Sequence, residues 1–170
     1  MQLTRFTDYS LRVLIFLAHR QGIHTTIKDV SDAHQISEDH LMKVVRRLAT
    51  LGYIKTARGK NGGVGSAHAP ADISIGAVIR DVEALTPVEC FTARYDGRCL
   101  LYPNCALRGA LQSAQLQYMK TLDAYCIADV MGSDPLGGPR FAQNGPGPVP
   151  PRSSGRRAGR TASRLRARVQ

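Results

Sequence analysis

The sequence predicts a mainly α-helical protein, a winged helix-turn-helix followed by a cysteine loop and a long dimerisation helix. Three observations predict it. Two short helical patterns are joined by a tight turn, a glycine-rich basic turn then separates two extended runs, and a long helical pattern with regularly spaced apolar residues comes near the end. At 170 residues the chain can bury one core with appendages.

The first three helices are predicted from the spacing of apolar residues and from their caps. Apolar residues recur at helical spacing over about 4–20, which indicates an amphipathic helix. Thr26 and Asp29 have the spacing of a capping box and open a second, short helix. After a turn, Ser37 can cap a third helix with its apolar residues on one face. The second and third helices together form the predicted helix-turn-helix.

The solvent side of the third helix is the candidate DNA-reading face. His40 and Lys43 are the expected base readers, while Arg46 or Arg47 would hold phosphate. The alternative is a solvated helix face that binds nothing. A predicted wing follows this helix, which favours the DNA-reading interpretation over the solvated one.

The predicted wing is a strand over 53–57, a basic glycine-rich turn over 58–63, and a second extended run to about His68. Within the turn, Arg58 and Lys60 would approach the minor groove or the DNA backbone. A glycine-rich run is also found in phosphate-binding loops, but this one opens no helix.

Three of the four cysteines, Cys90, Cys99 and Cys105, stand within sixteen residues in a segment without regular periodicity. Thiolate ligands select zinc, copper(I) or iron–sulfur clusters. Eight and five residues separate these cysteines, too many for the tight pairs of structural zinc sites but enough to wrap a larger cluster. Zinc and buried or disulfide-bonded cysteines are the alternatives. Cys126 lies among apolar residues and is predicted to be core or interface.

The residues around the cysteine loop are also predicted to be helical. Ser74 can cap a helix whose buried stripe runs to Leu85, and a long helix from Ala106 to about Val130 has apolar residues near heptad spacing. A helix of that length usually pairs, so we expect a homodimer. The predicted segments are therefore a DNA-binding domain over 1–85, a cluster-binding loop over 86–105, the dimerisation helix over 106–132, and a disordered Pro/Gly/Arg-rich tail over 133–170.

Charge and composition narrow the classes of function. Of the formal net charge of +10, eight arginines and one aspartate place +7 in the tail, which leaves a mildly basic body. The tail either adds non-specific DNA affinity or stays solvated and idle. The sequence shows no secretory signal, no membrane-spanning stretch and no nucleophile–base or paired-acid motif. We therefore expect a cytoplasmic protein with reduced thiols that is not an enzyme.

Residues 1–131 resemble the bacterial winged-helix iron–sulfur repressors, a family that includes IscR and the nitric-oxide-sensing NsrR. The start and the cysteine loop look most like the nitric-oxide-sensing members, whereas an IscR-like site would place a histidine where this chain has Arg108. The segments that carry the resemblance are LTRFTDYSLRVL at the start, ISEDHLMKVVRRL in the third helix, RGKNGG in the wing, VECF and PNCAL around the cysteines, and LDAYCIADV after them.

The resemblance implies a repressor whose binding to a double-stranded DNA operator is controlled by an iron–sulfur cluster, with nitric oxide as the signal. It implies a 4Fe-4S cluster in preference to 2Fe-2S, held by the three cysteines of the loop, with Asp8 of the partner subunit completing the set. Iron supply, cluster status or redox poise are alternative signals for a regulator of this family. A metal or iron–sulfur carrier without DNA binding is a more remote alternative.

Overall fold

The computed structural model describes residues 2–57, 59, 62–92, 95–102 and 104–132. The predicted tail, 133–170, lies outside these residues, as do Arg58 and Lys60. The elements in chain order are α1 (Arg5–His19), α2 (Ile27–His34), α3 (Glu38–Thr50), β1 (Ile54–Thr56), β2 (Val64–Ser66), α4 (Ile75–Val82), α5 (Ala106–Asp123) and α6 (Ile127–Val130). Single 3₁₀ turns occupy Pro70–Asp72 and Glu89–Phe91. The mainly helical winged helix-turn-helix that the sequence predicts is confirmed.

The helices begin where local capping chemistry places them, with one exception. Thr26 and Asp29 form the predicted capping box at α2, and Ser74 accepts a hydrogen bond from the Ala77 backbone N–H at α4. Ser37 occupies the N-cap of α3, but its hydroxyl makes no capping hydrogen bond. The hydroxyl instead lies 2.9 Å from Nδ1 of His40, so the predicted Ser37 side-chain cap is wrong.

One core lies between α1, α3 and α4, with α2 and α6 packed against its edges. Each fully buried aliphatic or aromatic side chain contributes about 1.5–3 kcal/mol by leaving water. The apolar face of α3 points into this core, which leaves its polar face to solvent. The largest fully buried side chains are Phe16, Leu14, Leu17, Leu41, Leu48, Ile73, Ile79 and Ile127.

Strands β1 and β2 form a two-stranded antiparallel sheet in which Ile54 faces Ser66 and Thr56 faces Val64. The turn between them closes through paired backbone hydrogen bonds between Ala57 and Gly63, of 2.8 and 3.0 Å. This is the wing that the glycine-rich turn predicts.

The predicted long helix is interrupted, which corrects the expectation of one helix from Ala106 to about Val130. Helix α5 ends at Asp123, and Cys126 is extended and pairs with Ser74 as an isolated β-bridge. The carboxylate of Asp129 accepts a 2.9 Å hydrogen bond from the Cys126 backbone N–H and so starts α6 anew. The break turns Ile127 into the core, where it is fully buried.

Among the described residues, none of the helices has both the length and the apolar character that crossing a bilayer requires.

Candidate nucleic-acid interface and thiol site

The exposed face of α3 carries the side chains that the sequence predicts to read DNA. His40, Lys43, Arg46 and Arg47 are all exposed, while the opposite face of the helix is buried. A shallow depression on this face is lined by Asp39, Met42, Lys43 and Arg46. Met42 is 49% exposed and was not predicted. An exposed methionine on a DNA-reading helix can contact thymine methyl groups. The signal in the sequence is its spacing, because residues three and four apart share a helix face and Met42 lies three after Asp39 and four before Arg46.

Two of the predicted DNA contacts also have partners inside the protein. One guanidinium nitrogen of Arg47 donates to the Asp81 backbone carbonyl at 2.9 Å, which braces α3 against α4. The Asp81 side chain in turn accepts a 2.6 Å hydrogen bond from the Tyr53 hydroxyl. His40 lies beside Ser37 and within ring contact of Tyr9. Lys43 and Arg46 are therefore the freer of the four predicted residues for contacts with DNA.

The wing is anchored to the loop that precedes α2. The Val64 backbone N–H donates to the Thr25 carbonyl at 2.8 Å, and the His24 ring lies 3.0 Å from the Gly62 carbonyl oxygen. Gly63 is required at this crossing, because a Cβ there would stand 2.6 Å from the Thr25 carbonyl oxygen. The two predicted wing contacts, Arg58 and Lys60, lie outside the described residues, and their DNA-binding role stays a prediction.

All four cysteines are free thiols, and three of them lie in the loop between α4 and α5. Cys90 falls in a 3₁₀ turn, Cys99 is exposed, and Cys105 is the N-cap residue of α5. The Arg108 backbone N–H donates to Sγ of Cys105 at 3.3 Å, which caps the N-terminus of α5. Three accessible thiols in one loop are the donor set that an iron–sulfur cluster or another soft metal centre takes.

Among the described residues, the three loop thiols are not assembled into a metal-binding group. Within the described ranges, no group of three or more His, Cys, Asp or Glu side chains is close enough together to hold a metal ion. Three thiols also leave room for a fourth ligand from outside the loop. Binding would therefore bring the cysteines together, as is usual where metal binding is coupled to local folding.

Cys126 differs from the other three cysteines. It is buried, and its thiol donates to the Asp129 carboxylate at 2.9 Å. Burial raises the pKa of the Cys126 thiol, and the hydrogen bond to Asp129 raises it further. A protonated thiol is a poor metal ligand, so its position agrees with the predicted core role.

Asp8 lies in the first turn of α1, where it forms a two-point ion pair with Arg12. The Nη2–Oδ2 distance is 2.9 Å and the Nε–Oδ1 distance is 3.0 Å. Both side chains are almost half exposed, at 45% for Asp8 and 47% for Arg12. The carboxylate is therefore accessible from outside the chain, and any ligand role would compete with this ion pair.

Glu83 ties the start of α1 to the end of α4, and the sequence did not reveal it. Its Oε2 accepts hydrogen bonds of 2.9 Å from the Thr4 backbone N–H and hydroxyl, and another from the Thr7 hydroxyl. Burial acts to raise the pKa of Glu83, but the hydrogen bonds from Thr7 and Thr4 outweigh it and hold that pKa below its ordinary value. The first turn of α1 is thus joined to the residue at which the chain leaves α4 for the cysteine loop.

Several large apolar side chains around the cysteine loop and α5 face solvent. Leu100 is fully exposed, and Leu101, Leu107 and Leu116 are 62%, 62% and 66% exposed. Met119 is the buried apolar residue of the same helix.

A helix-turn-helix with a basic exposed face, a wing beside it and a separate thiol-bearing loop defines a DNA-binding transcriptional regulator. The family model described as "Rrf2: Iron-dependent Transcriptional regulator" matches residues 3–133. The chain belongs to the Rrf2 family, which confirms the resemblance seen in the sequence.

Two relatives and two solved structures agree with this assignment. The chain is 50% identical over 133 residues to the "HTH-type transcriptional regulator NsrR" of Geobacillus kaustophilus, with 77% of this chain and 90% of the relative covered. It is 46% identical to the protein of the same name from Bacillus subtilis strain 168, with the same coverage. Among solved structures, CymR of B. subtilis has a TM-score of 0.62 at 25% identity, with 77% of this chain and 96% of CymR covered. IscR of T. potens has a TM-score of 0.59 at 22% identity, with 76% and 85% covered.

These relatives are named as transcriptional regulators and not as enzymes, which confirms the prediction that the chain is not an enzyme. A carrier without DNA binding does not fit a family of transcriptional regulators.

Proposed function

We propose that the protein is a homodimeric, cytoplasmic repressor whose operator binding is controlled by an iron–sulfur cluster that responds to nitric oxide. Cys90, Cys99 and Cys105 would hold the cluster, of 4Fe-4S type, and the partner subunit's Asp8 would supply the fourth ligand. The observation that carries the proposal is the position of the three free thiols in one loop directly after the DNA-binding domain. Identity of 41–50% to regulators named NsrR supports it.

When bound, the cluster supplies iron that reacts with nitric oxide more readily at a position held by a carboxylate than at one held by a thiolate. The chain itself supplies the route from the loop to the DNA face. Glu83 joins the start of α1 to the end of α4, and Arg47 joins α4 to α3 through the Asp81 carbonyl. A change in the order of residues 86–105 would thereby alter how α3 is presented to the major groove.

The exposed apolar surface of α5 supports the homodimer. Leu116 is 66% exposed within the described part of the chain, and packing of α5 against a symmetry mate would cover it. A dimer would also place two copies of α3 for two half-sites of a palindromic operator, one helical turn or a multiple of it apart.

Anaerobic purification followed by native mass spectrometry and iron and sulfide analysis tests the proposal. The expected species is a dimer with one cluster per chain. Replacing Cys90, Cys99 or Cys105 with Ser should abolish the cluster, because serine is a poor ligand for iron–sulfur centres. The matched control is Cys126→Ser, whose hydroxyl can keep the hydrogen bond to Asp129 and which should retain the cluster. A colourless, zinc-loaded wild-type protein would refute the proposal.

A further inference from the structure

Four side chains of the cysteine loop and the start of α5 form one continuous stack, which we call the aromatic–arginine stack: Phe91, Arg108, Tyr102 and Tyr95. The Arg108 guanidinium carbon lies 5.8 Å from the centre of the Phe91 ring and 6.0 Å from that of the Tyr102 ring. The Tyr102 and Tyr95 rings meet edge to face, with centroids 5.3 Å apart and planes at 65°. Arg108 is thus held between the two ends of the loop.

The aromatic–arginine stack contacts every one of the three cysteines. Nε of Arg108 donates to the Cys90 carbonyl at 3.4 Å, and its backbone N–H donates to the Cys105 sulfur at 3.3 Å. The Tyr95 hydroxyl accepts a 2.7 Å hydrogen bond from the Cys99 backbone N–H. The aromatic–arginine stack therefore holds the backbone at Cys90 and Cys99 and the sulfur atom of Cys105.

An arginine is the residue that this place requires. Its planar guanidinium can lie against two rings and donate sideways from Nε at the same time, which the point charge of a lysine cannot do. Its side chain also carries a positive charge.

We propose that Arg108 is a positioning residue of the thiol site. It holds Cys90 and Cys105 in register before a metal centre binds, and it places a fixed positive charge beside that centre afterwards. The inference rests on the proposed function for its second half, whereas its first half concerns the metal-free chain alone.

The structure offers a matched control in the same loop. Arg98 carries the same charge but is 87% exposed, and its partner is the neighbouring Asp96. Arg98→Gln therefore removes a charge from the loop without touching the aromatic–arginine stack.

The first experiment measures amide hydrogen exchange and the near-ultraviolet tyrosine circular dichroism of the metal-free full-length chain. Arg108→Gln should speed exchange at the Cys99 amide by about tenfold, because two ring contacts and a hydrogen bond are lost together. It should also reduce the tyrosine signal. Arg98→Gln should change neither. Equal exchange in Arg108→Gln and wild type would overturn the role of Arg108 in holding the loop.

The second experiment measures the cluster-loaded protein: the rate of iron loss to a chelator and the midpoint potential of the cluster. Arg108→Gln should lose iron about tenfold faster and shift the potential to a more negative value, since a stabilising positive charge is gone. Arg108→Lys should keep the potential near that of the wild type but still lose iron faster, because the charge remains and the stack does not. Wild-type values for both variants would overturn the proposal.

The two experiments separate failure of this inference from failure of the proposed function. A wild-type protein that binds no cluster refutes the proposed function, yet the exchange measurement on the metal-free chain still tests Arg108. A cluster that is indifferent to Arg108 refutes the inference and leaves the proposed function intact.

Discussion

Glu83→Ala is expected to loosen the start of α1 from the end of α4. The Glu83 carboxylate accepts three hydrogen bonds, two of 2.9 Å from Thr4 and one from Thr7. Each is worth about 0.5–1 kcal/mol for a half-buried acceptor, so the free energy of unfolding should fall by about 2 kcal/mol. Glu83→Gln keeps an acceptor oxygen but loses the charge, and about 1 kcal/mol should be lost.

Urea unfolding measures this change, together with amide exchange at Thr7. The matched control is Glu89→Ala, an exposed glutamate six residues downstream, which should change stability by less than about 0.5 kcal/mol. Similar midpoints for Glu83→Ala and Glu89→Ala would show that these hydrogen bonds do not stabilise the fold.

The same contact predicts a dependence on pH. Because the folded-state pKa of Glu83 lies below its ordinary value of 4.5, its stabilisation is fully present above that value. It is lost as the pH falls through the lower, folded-state pKa. The stability difference between wild type and Glu83→Gln should therefore be constant near neutral pH and shrink in acid. A difference that stays the same from neutral pH down to well below the ordinary glutamate pKa would refute the reasoning.

Three further predictions concern the DNA face, the proposed fourth ligand and the packing of α5. Lys43→Ala should weaken operator binding, measured by fluorescence anisotropy, by about 1–3 kcal/mol, because Lys43 is the expected base reader. The control is Lys120→Ala, at an exposed lysine of α5, which should leave operator affinity unchanged. Equal operator affinities of the two variants would remove Lys43 from the reading face. Asp8→Ala should leave a cluster that forms but is lost faster. The control is Asp32→Ala, which breaks a comparable ion pair between residues four positions apart on α2 and should not change the lifetime of the cluster. An unchanged cluster lifetime in Asp8→Ala would exclude Asp8 as a ligand. Gly76→Ala should lower the free energy of unfolding, measured by urea denaturation, by about 1–3 kcal/mol. The reason is that a Cβ at position 76 would stand 2.0 Å from Oδ1 of Asp123 at the end of α5. Wild-type stability of the variant would contradict that packing.

Features of the fold that depend on neighbouring residues could be predicted from the sequence. The capping box of Thr26 and Asp29, the cap at Ser74 and the glycine-rich turn of the wing all follow from chemistry within a few positions. The presence of three cysteines within sixteen residues could also be seen in the sequence, because it depends only on their spacing along the chain.

Features that depend on distant partners could not be predicted. The break before Cys126 has no proline or glycine to signal it, and it exists because Cys126 pairs with Ser74 and Ile127 enters the core. The bond of Arg47 to the Asp81 carbonyl and the position of Arg108 between Phe91 and Tyr102 likewise need elements that meet only in the folded chain.

Operator affinity, measured by fluorescence anisotropy under anaerobic conditions, tests the central claim most directly. The cluster-loaded dimer should bind its operator tightly, and titration with nitric oxide or removal of the iron should release the DNA over the same range in which the cluster absorbance is lost. Equal affinity of the loaded, nitric-oxide-treated and iron-free protein for the operator would contradict the account.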